Sequence, residues 1–103
     1  MPAKFMKMYQ FNLNNEYTKG AFLEASAKMD SFMKAHSGFE YRTLAQQNDG
    51  QWLDTVYFTD KSSAESMEAA FSDSDVAGEF MPMINGASVT ITTADIQTSA
   101  CNG

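Results

Sequence analysis

The sequence carries one cysteine, Cys101, and one histidine, His36. A lone thiol cannot close an internal disulfide, so the expected setting is a reducing cytoplasm. One His and one Cys also supply no dedicated transition-metal site, and Cys101 has no histidine partner of the kind a thiol nucleophile uses. Basic residues are few: 7 Lys and Arg against 13 Asp and Glu leave a net charge of −6, with the cations scattered. Such a surface repels phosphate backbones and anionic headgroups, so neither nucleic acid nor a membrane surface is an expected partner. No apolar run approaches the roughly 20 residues that span a bilayer. The stretch MPAKFMKMYQFNL has lysines inside its apolar run and no small-residue cleavage site, so it does not read as a signal peptide. There is no phosphate-cradling glycine loop, no serine elbow, no repeat and no low-complexity segment.

What is present is the composition of a folded protein, 44% hydrophobic and 19% charged. At 103 residues it has room for a single domain. Residues 1–96 read as that domain and 97–103, small and polar, as a flexible tail.

Period-two alternation from Lys4 to Leu13 predicts a strand. Phe5, Lys7, Tyr9, Phe11 and Leu13 share one face, and Met6, Met8, Gln10 and Asn12 the other. Asn14 and Asn15 read as caps of a helix from Glu16 to Ala35, whose apolar side holds Phe22, Met29, Phe32 and Met33. Ser37-Gly38 ends it, Gly38 suiting the left-handed residue after a helix. Phe39 to Gln47 and Trp52 to Phe58 are strands joined at Asp49-Gly50, a hairpin turn signal. Ser62-Ser63-Ala64-Glu65 reads as a capping box opening a second helix along Ala64, Met67, Ala70 and Phe71. After an interruption at Ser72 to Asp75, a shorter helical piece from Val76 stops at Pro82, and Ala87 to Ile96 forms the last strand.

Strand, helix, strand, strand, helix, strand with right-handed crossovers is an α+β ferredoxin-like split βαββαβ fold. It predicts a four-stranded antiparallel sheet with two helices on one face. The other face, with Met6, Met8, Leu44 and either Tyr57 or Trp52, is too apolar to leave in water. The expected cover is a second copy of the sheet, giving a two-fold homodimer.

Several short motifs fit one family. Gly38-Phe39 after the first helix, the hairpin, Phe58 ending the third strand and the capped run Thr59-Asp60-Lys61-Ser62-Ser63-Ala64 resemble the antibiotic biosynthesis monooxygenase-like (ABM) domains of the dimeric α+β barrel superfamily. The resemblance covers about residues 4–96. It implies a cavity inside the barrel, on the helix-free side of the sheet. It also implies cofactor-independent monooxygenation of an aromatic or polyketide-like substrate, in which polar groups position a molecule that itself reacts with oxygen, so no cofactor is expected. Haem-degrading members share a run like Ser74-Asp75-Val76, but where they carry an axial His and a Trp this chain has Met81 or Phe80, and Phe58. Haem oxygenation is therefore not expected.

With Phe39 turned into the helix-covered core, strict alternation sends Glu40, Arg42, Leu44 and Gln46 to the barrel side. Arg42 is then the candidate anchor for a carboxylate, enolate or phenolate, and its competing reading is a structural ion pair with Glu40 or Asp54. Gln10 and Asn12 lie near where related monooxygenases use an Asn to orient substrate, or they bond across the dimer interface. Met8 is a candidate ligand wall. The partner strand leaves two registers. A two-residue turn at Asp49-Gly50 pairs Arg42 with Tyr57 and brings Tyr57 to the cavity, and is preferred. A loop one residue longer brings Trp52, Asp54, Val56 and Phe58 instead. His36, at a helix C-terminus, reads as a partner of the helix dipole. The function is either a small monooxygenase-type enzyme, a ligand-binding or stress-response dimer without turnover, or a filled barrel whose role is assembly.

Overall fold

The alternating apolar residues of the N-terminal segment form strand β1, Phe5–Phe11, at the interior of the sheet. A computed structural model describes residues 3–101. The other strands are β2 (Phe39–Gln46), β3 (Trp52–Phe58) and β4 (Thr90–Asp95), and the order across the sheet is β2-β3-β1-β4, all antiparallel. Three helices accompany them: α1 (Lys19–Lys34), α2 (Lys61–Ser72) and the short α3 (Asp75–Phe80). This is the ferredoxin-like α+β arrangement, with the second helical region broken in two. The break sits at Ser74, whose hydroxyl donates to Phe71 O at 2.6 Å and accepts from Ala77 N at 3.2 Å, capping α3.

Helix α1 begins later than Asn14 and Asn15 predict. Asn14 Nδ2 donates to Pro82 O and Ile84 O at 3.0 and 3.2 Å, tying the chain to the segment after α3. The cap is Thr18, whose hydroxyl accepts from Ala21 N at 3.1 Å. At α2 the cap is Asp60, accepting from Ser63 N at 2.7 Å, in place of the expected Ser62 box. Main-chain bonding to Ser63 comes first in holding the Asp60 carboxyl below its usual range.

Two features of the hairpin differ from expectation. Among the described residues only Gly38 and Gly50 have positive φ, so Asp49 cannot take its place in a type I′ turn, which needs two such residues. Gln47 N instead bonds Gln51 O at 2.8 Å and Gly50 N bonds Gln47 O at 2.9 Å, closing a three-residue loop with Gly50 left-handed at φ +93. The longer-loop register results: Gln46 faces Trp52, Arg42 faces Val56 and Tyr41 faces Tyr57. A bulge at Glu40, between Phe39 and Tyr41, then breaks the alternation. The extra residue puts Phe39 and Arg42 on the same face, toward the helices, and corrects the expectation that Arg42 faces the barrel side.

Gly38 is required twice over. Its φ is +87, and a Cβ there would lie 2.1 Å from Ser63 Oγ at the start of α2. This close approach seats α2 against the end of α1.

The core lies between the helices and one face of the sheet. Phe22 of α1 is fully buried and meets the rings of Trp52, Phe80 and Phe11 at centroid distances of 4.8, 5.1 and 5.9 Å. The opposite face carries Met6, Met8, Leu53 and Tyr57, none of which joins the helix-side cluster. Tyr41 on that face is 60% exposed, its ring 5.9 Å from that of Tyr57. No helix among the described residues is long and apolar enough to cross a membrane.

Candidate functional site

The helix-side core does not close completely. A cavity of about 560 Å³ remains between the sheet and the three helices. Its floor is Tyr9, Phe11, Asp54, Val56 and Phe58 of the central strands. Met29 and Met33 of α1 and Met67 and Phe71 of α2 form the walls, with Ala77 and Phe80 of α3 at one side and Val89 and Ile91 at another. The volume falls in the range of small-molecule pockets, and the lining is mostly apolar, as such pockets are. It arises because α2 stops at Ser72 and the chain turns away through α3, so no continuous helix fills the space over β1.

Four polar side chains interrupt this lining: Tyr9, Asp54, Glu68 and Ser72. Tyr9 Oη donates to Glu68 Oε1 at 3.1 Å, and Lys7 Nζ donates to the same carboxylate oxygen. Lys7 also stands 5.5 Å from the centroid of the Tyr9 ring. Burial first, and the Glu68 carboxylate second, push the Tyr9 phenol well above its ordinary value, so at neutral pH it is a donor that keeps its proton. Both oxygens of Asp54 are taken by Arg42, with Nε to Oδ1 at 2.9 Å and Nη2 to Oδ2 at 2.8 Å, and the Ser72 hydroxyl donates to Glu68 O at 3.1 Å.

Arg42 is spent on this structural work. Its Nη1 also reaches Ser26 Oγ and Asp30 Oδ1, each at 2.8 Å, and Ser26 O at 3.3 Å, so it locks β2 and β3 to α1. The side chain is 3% exposed and does not line the cavity. Burial lowers its proton affinity, but the bonds and charges of Asp54 and Asp30 outweigh that and raise it overall. Arg42 is thus paired as one of the sequence alternatives held, and the geometry leaves it no free donor fork for a ligand.

The other sequence candidates lie on the uncovered face. Met8 pairs with Thr55 and Thr92, and Tyr57 pairs with Met6. Gln10 Nε2 donates to Gln51 Oε1 at 2.6 Å. Asn12 is exposed and its main chain bonds Ser88 Oγ and Asn85 N. None of these four lines the cavity, because the cavity is on the helix side and they point the other way. His36 Nδ1 lies 3.0 Å from Phe32 O, beside the end of α1, and Cys101 is exposed.

Lys7, Tyr9 and Glu68 were not singled out from the sequence, yet a signal was there. Lys7 interrupts the apolar face of β1 that Phe5, Tyr9 and Phe11 define. Glu68 interrupts the α2 stripe Ala64, Met67, Phe71 at helical spacing. A cation in one apolar face and a carboxylate in another are complementary, and the fold puts them together.

No protein-family model matches this sequence and no curated protein matches it. Solved structures of low identity do. The cofactor-independent oxygenase SnoaB from Streptomyces nogalater is 15% identical with a TM-score of 0.70, covering 97% of each chain. A protein from Bordetella bronchiseptica, named for the antibiotic biosynthesis monooxygenases, is 6% identical with a TM-score of 0.78, covering 96% of this chain and 100% of that one. A dimeric ferredoxin-like protein from an uncultured marine organism is 8% identical with a TM-score of 0.74, covering 99% of this chain and 95% of that one.

Proposed function

The chain has an ABM-like fold, and we propose that it is a homodimeric, cofactor-independent monooxygenase-type protein that takes a ring-bearing apolar molecule into the helix-side cavity. The observation that carries this reading is the cavity itself: about 560 Å³, walled by Met and aromatic side chains, with polar groups, among the described residues, only on Tyr9, Asp54, Glu68 and Ser72. Thioether and aromatic walls suit a planar ring and adapt to its outline. In such a reaction a ring CH₂ becomes a carbonyl: one oxygen atom of O₂ ends on the carbon, and the other leaves as water with its two hydrogens. The protein's part is to exclude bulk water and orient the ring. The likeness to SnoaB supports the reading at the level of the fold.

The uncovered face of Met6, Met8, Tyr41, Leu53 and Tyr57 is the proposed seat of the second copy, where Gln10 and Asn12 would bond across the interface. A dimeric ferredoxin-like relative of the same fold supports this assembly. A reading without turnover, as a ligand-binding dimer, is favoured by one specific observation. Each titratable side chain in the cavity wall already has a partner, Asp54 on Arg42 and Glu68 on Lys7 and Tyr9. Oxygen consumption with a panel of anthrone- and naphthol-type substrates separates the two. Uptake that follows protein concentration supports the enzyme; saturable binding without uptake supports the binder; no binding sinks both.

A further inference from the structure

We propose that the Lys7–Glu68 pair makes this cavity selective for uncharged ring compounds that carry a hydrogen-bond donor, a phenol or an enol, over ring carboxylates. The inference rests on the cavity reading above and names its ligand class.

The polar lining is one-sided. Among the described residues the cavity wall contains no Lys or Arg, while Asp54 and Glu68 both reach it. Asp54 is closed to a ligand by the Arg42 fork. Glu68 is not. Both its bonds, from Lys7 and from Tyr9, fall on Oε1, and Oε2 takes none among the described residues. The side chain is 41% exposed and lines both the cavity and an adjoining cleft of about 300 Å³ in which Lys7 and Lys61 lie. Glu68 therefore stands at the opening with an unused acceptor oxygen. Tyr9 cannot substitute as a donor to the ligand, because its hydroxyl hydrogen is given to Glu68.

An incoming phenol finds an acceptor for its proton and an apolar wall for its ring. An incoming carboxylate finds a carboxylate at the door and no free donor among the described residues, since the Ser72 hydroxyl is given to Glu68 O at 3.1 Å. Lys7 would attract it, but Lys7 is occupied on the far side of Glu68 and its side chain is 15% exposed. The pair thus has a latent second state: neutralising Glu68 frees a cation at the same opening.

Equilibrium dialysis at neutral pH with naphthalene, naphthol and naphthoate reads this directly. The wild-type protein is expected to bind naphthol about tenfold more tightly than naphthalene, the worth of a hydrogen bond to a charged acceptor, and naphthoate more weakly than naphthalene. Glu68→Gln removes the naphthol advantage and lets naphthoate overtake it. Lys7→Gln leaves naphthoate excluded, and decides the question if the Glu68 variant folds poorly. If naphthalene binds saturably but naphthoate binds as well as naphthol in the wild type, or the ranking is unchanged by Glu68→Gln, the inference is overturned while the cavity reading stands. If none of the three binds, the cavity reading fails and the inference falls with it.

Discussion

Removing the Arg42 side chain tests whether that residue holds the fold or a ligand. In Arg42→Met the aliphatic stem is kept and the guanidinium lost. Asp54, 4% exposed, loses both bonds from its one charged partner and is left as a bare carboxylate among Trp52, Val56 and Leu44 neighbours. Breaking a buried pair from one side costs about 3–5 kcal/mol, a large part of the roughly 5–15 kcal/mol by which a domain of this size is stable. The Asp30 arm adds little, since that carboxylate is 50% exposed and an exposed pair is worth about 0–1 kcal/mol. Replacing both partners, Arg42→Met with Asp54→Leu, removes the stranded charge and should recover most of the loss. Urea unfolding at fixed protein concentration, followed by the fluorescence of buried Trp52, measures all three. A single variant as stable as the wild type would refute the reasoning. So would a double variant no more stable than the single.

Gly38→Ala and Gly50→Ala form a matched pair. Both force an L side chain to positive φ, at about 1–3 kcal/mol, but only at Gly38 does the new Cβ strike Ser63, so the Gly38 variant should melt at the lower temperature. Equal melting temperatures would remove the packing role given to Gly38. Because Tyr9 holds its proton more tightly than a free phenol, the stability it contributes is complete below about pH 10 and is lost as pH rises further. In Tyr9→Phe the alkaline fall in urea midpoint should flatten, and parallel curves would count against the buried Tyr9–Glu68 contact. Met8→Lys places a charge in the centre of the uncovered face; light scattering should then report a monomer, against the two copies proposed for the wild type, and an unchanged mass would displace the interface from that face.

Periodicity located β1 and α1, because burial on one side of a strand or helix writes itself into local spacing, and turn and breaker residues located the hairpin and the gap between α2 and α3. The uncovered apolar face was legible for the same reason in Met6 and Met8, whereas Leu44, expected there, packs against the helix-side core beyond the Glu40 bulge. Which face Arg42 takes was not. That depends on one bulged residue, Glu40, and on one extra residue in the loop ending at Gly50, and each inverts every side chain beyond it while leaving composition unchanged. The resemblance directed attention to the helix-free side of the sheet, whereas the open space of this chain lies on the helix side, and its polar end was missed because Lys7 and Glu68 are 61 residues apart.

Local sequence, then, determined the element order and the ferredoxin-like class, which follow from patterns a few residues long. Only the tertiary structure decided that Arg42 is a clamp between β2, β3 and α1, and that the open space lies under the helices. It alone put Tyr9 and Glu68 on the wall of that space, with Lys7 behind Glu68 in the adjoining cleft. Those outcomes depend on register and on how three helices fail to fill the area over β1, and both are set by packing between residues that the sequence keeps far apart.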